Sequence, residues 1–263
     1  MKKPVKKVKK ELTVEQKINR RNFISFSAFT VLAVGAFEGW RALYKSPDEV
    51  AGITAGAHKP LRKALNKTEI FFRRVAFSEN HLVKTYPKEM ATKWVRINSD
   101  IGIEAKNKFD PLAWKLKVIK KGGEVLEVTI DELRAIPKTE IIYDFKCVEG
   151  WDQIQHWAGV KFSDFIKHFG LDEYGKMDFV GMETPDKGYY VGVDMPSAMH
   201  PQTLLAYEMN DKPISLNHGA PLRLIIPVKY GIKNLKRIGT ITFSNTRPRD
   251  YWAEQGYDYY SGL

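Results

Sequence analysis

The single cysteine has the widest range of possible chemistry in this sequence of 263 residues. Cys147 lies in the segment FKCVEGW, residues 145–151, where an apolar run gives way to a loop. A free cysteine is often a small buried hydrophobic residue. It could instead be a nucleophile whose thiolate form is favoured by Lys146, or a soft ligand of a transition metal. The residue type alone leaves these three roles open.

A second group of residues is suited to binding an anion. The segment NHGAPLR, residues 217–223, carries His218 and a glycine in a loop that leads into a predicted strand with Arg223. A buried arginine needs an anionic partner, and its five guanidinium donors suit a phosphate. Three lysines follow in the same stretch: Lys229, Lys233 and Lys236. The pattern is typical of a site for a phosphorylated ligand, with a solvated basic loop as the alternative.

Several common signatures of enzyme sites are absent from the sequence, namely GxGxxG, GxxxxGK(S/T), HExxH and GxSxG. One cysteine also excludes intrachain disulfides, CxxC zinc or redox motifs and CxxCH haem attachment. A content of 43% hydrophobic and 28% charged residues is enough for a sizeable folded core. Cys147 and Arg223 therefore remain the most informative residues.

Positive charge is concentrated at the N-terminus. Residues 1–21 hold nine basic side chains and two acidic ones, a net charge of +7 out of +11 for the whole chain. The other 242 residues therefore carry only +4, whereas a nucleic-acid-binding domain would be expected to have a basic face in its folded part. No nucleic-acid partner is predicted.

The N-terminal segment resembles an export signal. Residues 23–37 form fifteen positions without a charge, which is short for a membrane span of about 20 residues but suits a signal. The preceding NRRNFIS, residues 19–25, resembles a twin-arginine signal, although the arginines could simply orient a membrane anchor. Small residues at 55–57 leave cleavage open. The expected location is the periplasmic side of the cytoplasmic membrane, soluble if cut and tethered if not.

Hydrophobic periodicity predicts an α+β fold with a mixed sheet rather than a doubly wound one. Strands are predicted at 114–118, 126–130, 141–147, 179–182, 189–193, 222–226 and 238–243. Helices are predicted at 61–72, 129–136, 164–169 and 197–209, with Ser163 as a possible cap of the third. The expected organisation is a signal or anchor at 1–43, a connector at 44–75 and one domain at 76–263.

Four ordered segments resemble the molybdopterin domain of the sulfite oxidase family, in the branch that contains the catalytic subunit of periplasmic methionine sulfoxide reductase. The first is CVEGW at 147–151 followed by WAGV at 157–160, which resembles the molybdenum-ligating segment. The others are FSENHL at 77–82, residues 198–210, and residues 218–236. The resemblance extends from about residue 61 to the C-terminus and implies a molybdenum–molybdopterin oxidoreductase.

The resemblance also implies roles for individual residues. Cys147 would be the catalytic thiolate ligand of molybdenum, whose other ligands are pterin dithiolene sulfurs and oxygen. The pterin would be hydrogen-bonded by Asn80, His81, Thr184 and His218. Its phosphate end would be held by Arg223, Asn234 and Lys236.

Two departures from the family pattern bear on the substrate. Sulfite-oxidising relatives carry an arginine where this chain has Glu79, and arginines near Trp151-Asp152. Carboxylates in place of cations disfavour an anion such as sulfite. We therefore expect reduction of a neutral oxide, small or protein-bound, such as a sulfoxide. Alternatives are sulfite oxidation, a metal-free exported binding module, and a hydrolase in which a histidine activates Cys147.

One cysteine cannot hold an iron–sulfur cluster or a c-type haem. Electrons must therefore come from a separate redox partner, for which the resemblance implies a membrane-bound haem subunit. The immunoglobulin-like dimerisation domain of sulfite oxidases has no counterpart in the sequence, so a monomer is expected.

Overall fold

Two helices precede the sheets. The structure, a computed structural model, describes residues 12–45, 59–78, 80–103 and 109–262. Helix α1 spans Val14–Lys45 and helix α2 spans Lys59–Ala76. The uncharged run at 23–37, short for a span by itself, lies within the 32 residues of α1, which has no buried residue and is long and apolar enough to cross a membrane. The small residues at 55–57 lie outside the described part.

Ten strands and four further helices form the rest of the described chain. The strands are β1 (Leu116–Ile119), β2 (Val125–Val128), β3 (Thr139–Lys146), β4 (Asp152–Lys161), β5 (Phe179–Glu183), β6 (Tyr190–Asp194), β7 (Leu204–Met209), β8 (Lys212–Pro213), β9 (Arg223–Ile225) and β10 (Thr240–Ser244). The helices are α3 (Ile130–Arg134), α4 (Phe162–His168), α5 (Met195–Ala198) and α6 (Tyr251–Glu254).

The strands form two sheets. One has the order β2-β1-β10-β5-β6, and the other has the order β3-β4-β7-β8 with β9 also paired to β7. Strands β1 and β10 run parallel, whereas the other described pairs are antiparallel. The predicted α+β class with a mixed sheet and an N-terminal apolar helix is confirmed.

The β1–β2 hairpin follows directly from the sequence pattern. Leu116 and Val118 are fully buried while Lys117 between them is exposed, as a period of two requires. Helix α3 then begins with a capping box, in which the Thr129 side chain accepts from the Glu132 amide and the Glu132 carboxylate accepts from the Thr129 amide. Both predictions are confirmed.

Three predictions of local structure are wrong or incomplete. The helix predicted at 197–209 is instead the short α5, capped by the Asp194 carboxylate, followed by strand β7. Ser163 does not cap α4, because the helix begins at Phe162 directly after β4 and its cap position is Lys161. Strand β4 was not predicted, although it is the longest strand in the described chain.

A compact apolar cluster supports the functional residues of the second sheet. Its buried members include Tyr143 and Phe145 from β3, Trp157 from β4 and Ile225 from β9. Cys147 follows β3 directly, and Arg223 is the first residue of β9. The sheet therefore fixes the backbone from which both side chains project.

Candidate active site

A cleft brings together four of the predicted site residues. Its space, counting the open mouth, is about 700 Å³, and its lining includes Cys147, Arg223, Asn234 and Lys236. Further lining comes from distant segments of the chain: Asn98, Ser99, Ile101, Glu149, Tyr189, Trp252 and Tyr257. Parts of the chain that are far apart in sequence therefore meet at one site.

The Cys147 thiol is held at the start of a tight turn. The Cys147 amide donates to the Trp151 carbonyl at 2.9 Å, and the Gly150 amide donates to the Cys147 carbonyl at 3.1 Å. Gly150 has φ +84°, a conformation that side chains disfavour, so the turn depends on glycine here. The Sγ atom accepts a hydrogen bond from Asn98 Nδ2 at 3.3 Å. The thiol is 4% exposed and has a fixed polar neighbour.

The surroundings of Cys147 do not resemble those of a nucleophilic cysteine. Lys146 points to the exposed side of β3, where its ammonium pairs with Asp144 at 2.6 Å. The expected effect of Lys146 on the thiolate therefore has no support in the structure. No histidine lines the cleft within the described residues, so the base that a hydrolase requires is missing there.

Arg223 is a buried cation at the same cleft. Its Nη1 donates to the His218 carbonyl at 3.1 Å and its Nη2 to the Asn234 carbonyl at 3.2 Å. Its Nε has no hydrogen-bond partner, and the described residues give it no ion pair. Burial lowers the pKa of Arg223 to about 10, although the residue remains charged at neutral pH. Arg223 is 4% exposed, and no carboxylate of the described residues pairs with it, so its guanidinium is suited to an anionic ligand.

Asn234 and Lys236 shape the wall beside Arg223. The Asn234 side chain accepts from the Ile226 amide at 2.8 Å and donates to the Tyr230 carbonyl at 3.1 Å. The Lys236 ammonium donates to the Asn98 carbonyl and, at 2.6 Å, to the Ser99 carbonyl. Lys236 thus ties the segment that contains Asn98 to the wall of the cleft.

The other two lysines of the predicted basic cluster point away. Lys233 is buried in an ion pair with Asp250, and Lys229 lies 3.4 Å from Asp194. Burial lowers the pKa of Lys229 to about 8, while Asp194 opposes the shift. Their charges are therefore compensated inside the protein, and the expectation that all three lysines serve one anion is wrong.

Thr184 and His218 lie behind the lining rather than in it. Thr184 Oγ1 donates to Asp186 at 2.6 Å and accepts from the Tyr189 amide at 3.1 Å, which fixes the turn that presents Tyr189. His218 Nε2 lies 3.1 Å from the Val95 carbonyl. Burial lowers the pKa of His218, so the neutral ring donates through Nε2 and accepts through Nδ1 from Ser215 Oγ at 2.9 Å.

Asn80 and His81 lie apart from the cleft lining. Both are exposed, and the His81 carbonyl accepts from His200 Nε2 at 2.9 Å. Glu79, on which part of the substrate argument rests, lies outside the described residues. The structure thus brings four predicted site residues to one cleft and places two behind it and two elsewhere.

Charged residues of both signs lie near Trp151, at the end of the turn that begins with Cys147. Glu149 lines the cleft, and its carboxylate accepts from Trp151 Nε1 at 2.9 Å. The guanidinium of Arg96 lies 4.9 Å from the centre of a Trp151 ring. Sequence reasoning found neither Arg96 nor Asn98, because neither belongs to a recognisable motif and only the path of residues 94–99 brings them close.

The donor set fits a molybdopterin cofactor. Cys147 offers a soft sulfur ligand, Arg223 offers an unsatisfied buried N–H to an anionic group, and Lys236 adds a second cation. These groups match a cofactor with a metal at one end and a phosphate at the other.

Comparison with known proteins gives the same family. The oxidoreductase molybdopterin binding domain matches residues 103–252, which is more than half of the chain. A protein from Azospira oryzae, provisionally named protein-methionine-sulfoxide reductase subunit YedZ1, is 34% identical over 186 residues, covering 71% of this chain and 70% of that protein. The protein-methionine-sulfoxide reductase catalytic subunit MsrP of Campylobacter jejuni is 29% identical over 199 residues, covering 67% of each.

Among solved structures, the sulfane dehydrogenase SoxCD from Paracoccus pantotrophus has a TM-score of 0.47 and 17% identity, covering 53% of this chain and 40% of that one. The predicted family resemblance is confirmed by the domain match and the sequence relatives. This chain belongs to the oxidoreductase molybdopterin binding domain family, and it is an oxidoreductase that binds a molybdopterin cofactor.

Proposed function

We propose that this protein reduces a sulfoxide, such as methionine sulfoxide, with a molybdenum–molybdopterin cofactor held by Cys147 and Arg223. The observation that carries the proposal is the cleft that a buried thiol shares with a buried guanidinium to which the described residues offer no ion pair. The overall reaction takes a sulfoxide, two electrons and two protons to a thioether and water. Relatives named as methionine-sulfoxide reductases support this direction.

The residues of this chain would hold and orient the cofactor. When bound, the molybdenum–molybdopterin group supplies two-electron oxo transfer. Cys147 would ligate the metal through sulfur, and the Asn98 amide would keep its hydrogen bond to that sulfur. Arg223 and Lys236 would pair with the phosphate end, with Asn234 beside them.

The remaining predicted contacts to the pterin differ in what they require. Thr184 and His218 are already hydrogen-bonded to Asp186 and to Val95. To contact the pterin, each of these two side chains would have to share its present hydrogen bond with the pterin or give it up. The proposed contacts of Asn80 and His81 require their exposed segment to be part of the cofactor site.

A carboxylate in the lining of the cleft disfavours sulfite relative to a neutral substrate. Glu149 places a carboxylate in the lining near Cys147, and a sulfoxide has no net charge for it to repel. Arg96 does not line the cleft, and its guanidinium packs over Trp151. Glu149 is therefore the residue whose charge would bear most directly on an anionic substrate.

The discriminating experiment compares methionine sulfoxide reduction and sulfite oxidation by one preparation, with dyes as electron donor and acceptor. We expect sulfoxide reduction to dominate and the Cys147→Ser variant to lose it. Glu149→Gln should raise the weak sulfite activity, since it removes a negative charge, while the exposed and distant Glu173→Gln should not. Robust sulfite oxidation without sulfoxide reduction would overturn the proposal.

We also propose that the domain works on the periplasmic side of the membrane with a separate haem-containing membrane subunit as electron donor. Support comes from the apolar helix α1, from the single cysteine, which rules out an iron–sulfur cluster, and from the name catalytic subunit carried by a relative. Protease added to spheroplasts should digest the domain. Complete protection until lysis would contradict this location.

A further inference from the structure

Helix α2 is amphipathic in the opposite sense to an ordinary surface helix. A surface helix normally turns its apolar side toward the protein and its charged side toward water. In α2 the charged side chains Lys63, Glu69 and Arg73 turn inward, while a row of large apolar side chains turns outward. The apolar side of α2 is therefore not buried by the domain.

The inward side of α2 is fixed by polar contacts with the domain. Arg73 forms an ion pair with Asp194 and donates to Ser197 Oγ at 2.9 Å. Glu69 lies 3.6 Å from the guanidinium of Arg247, with both side chains largely buried. The orientation of the helix about its own axis is therefore set by these polar side chains, of which Arg73 forms the ion pair.

The outward side carries an apolar stripe, interrupted by Thr68 and defined by Leu61, Leu65, Phe71, Phe72 and Val75. Leu61, Leu65, Phe72 and Val75, together with Thr68, are spaced by four, three, four and three residues, so they share one face. Their exposed fractions are 49% for Leu61, 51% for Leu65, 60% for Phe71, 59% for Phe72 and 69% for Val75. Such an exposed apolar row marks an interaction surface.

Cations border this outward stripe. Helix α2 has six basic side chains and one acidic one, a net charge of +5, and the acidic Glu69 faces inward. Exposed Lys67 and Arg74 lie four and three residues from Phe71, along one edge of the stripe. An apolar face bordered by Lys and Arg is the pattern of a helix lying in the surface of an anionic membrane.

The position of α2 in the chain also supports a membrane surface as its partner. Helix α1, long and apolar enough to cross a membrane, ends at Lys45, and thirteen residues separate it from Lys59. A fully extended segment of that length spans at most about 50 Å. If α1 is in a bilayer, this connector keeps the start of α2 within about 50 Å of the end of α1.

We propose that the outward stripe of α2 lies in the headgroup region of an anionic phospholipid bilayer and so holds the oxidoreductase domain in a fixed orientation against the membrane. The proposal is independent of the reaction catalysed. A second copy of the chain or a protein partner on the stripe would be a different outcome of the same experiment.

The test is photo-crosslinking of the full chain in phosphatidylethanolamine–phosphatidylglycerol vesicles that contain a phospholipid with a diazirine near its headgroup. Mass spectrometry locates the lipid adducts. We expect adducts on α1 and also on the stripe of α2. The double variant Leu65→Glu and Phe72→Glu should lose at least about nine-tenths of the α2 adducts, because charged side chains resist burial in lipid.

The matched control replaces two exposed apolar residues outside α2, Leu112→Glu and Val125→Glu, which should leave the α2 adducts unchanged. Phosphatidylcholine vesicles should lower the α2 adducts severalfold, since the cations then lack anionic partners. Adducts confined to α1, equal α2 adducts in neutral lipid, or crosslinks between two copies through α2 would each overturn the proposal.

Discussion

The functional cleft depends on a few side chains whose partners are distant in sequence. Residue type made Cys147 and Arg223 candidates but left several roles open for each, and the roles of metal ligand and phosphate contact came from the family resemblance. The hydrogen bond from Asn98 to the Cys147 sulfur crosses 49 residues and could not be predicted. Likewise, nothing in the sequence shows that Lys229 and Lys233 are already paired with Asp194 and Asp250.

Asn98→Ala tests the hydrogen bond to the sulfur. With Cys147 as the proposed metal ligand, losing the donor would make the thiolate donate more charge to the metal and so stabilise the oxidised state. We expect molybdenum content to stay within about twofold, the midpoint potential of the centre to fall, and kcat to fall about tenfold to a hundredfold. The exposed Asn245→Ala serves as control. An unchanged potential would show that Asn98 has only a structural role.

Arg223→Met tests the proposed contact between Arg223 and the phosphate end of the cofactor. Arg237 provides a matched control, because it is also a buried arginine that donates to backbone carbonyls, yet it does not line the cleft. We expect Arg223→Met to lower the pterin content of purified protein at least about tenfold, and Arg237→Met to lower thermal stability while keeping the cofactor. Equal pterin loss in both variants would contradict a specific role for Arg223.

At the level of secondary structure, local sequence patterns predicted an element correctly where one of its sides is buried and the other is exposed. The hairpin of β1 and β2 and the capped α3 are examples. The prediction failed at residues 204–209, LLAYEM, whose Leu, Ala, Glu and Met favour a helix. These residues form β7 because they pair with β4 on one side and β9 on the other. Long-range pairing overrides local propensity there.

The packing of α2 against the domain depends on pH through Glu69. Burial raises the pKa of Glu69 to about 7, with Asp258 adding to the shift and Arg247 opposing it. The folded carboxyl therefore keeps a proton that the unfolded one, with a pKa near 4.5, loses. Stability from this group is present below about pH 4.5 and declines as the pH rises to about 7.

Glu69→Gln mimics the protonated carboxyl. We expect its α2 amides to exchange hydrogen more slowly than those of the wild type at pH 8, and the difference to vanish near pH 5. The exposed Glu89→Gln should match the wild type throughout. Faster exchange in Glu69→Gln at pH 8 would show that the ionised carboxylate stabilises the helix.

Across the whole molecule, positive charges lie in two settings: the basic N-terminal segment and the interior of the domain. Most of the excess positive charge lies in the first 21 residues, ahead of the apolar part of α1. Within the domain, buried cations such as Lys229 and Lys233 are paired internally, whereas Arg223 has no ion pair in the described residues. The family could be identified from ordered motifs, but the cleft depends on how residues 98–257 pack.

The most direct measurement is the molybdenum content of the full chain, purified from cells that assemble the cofactor. We predict a stoichiometric amount in the wild type and a small fraction of it in Cys147→Ser, whose hydroxyl is a poor substitute for a thiolate ligand. Absence of molybdenum from the wild type, or full loading of Cys147→Ser, would contradict the assignment of Cys147 as the metal ligand.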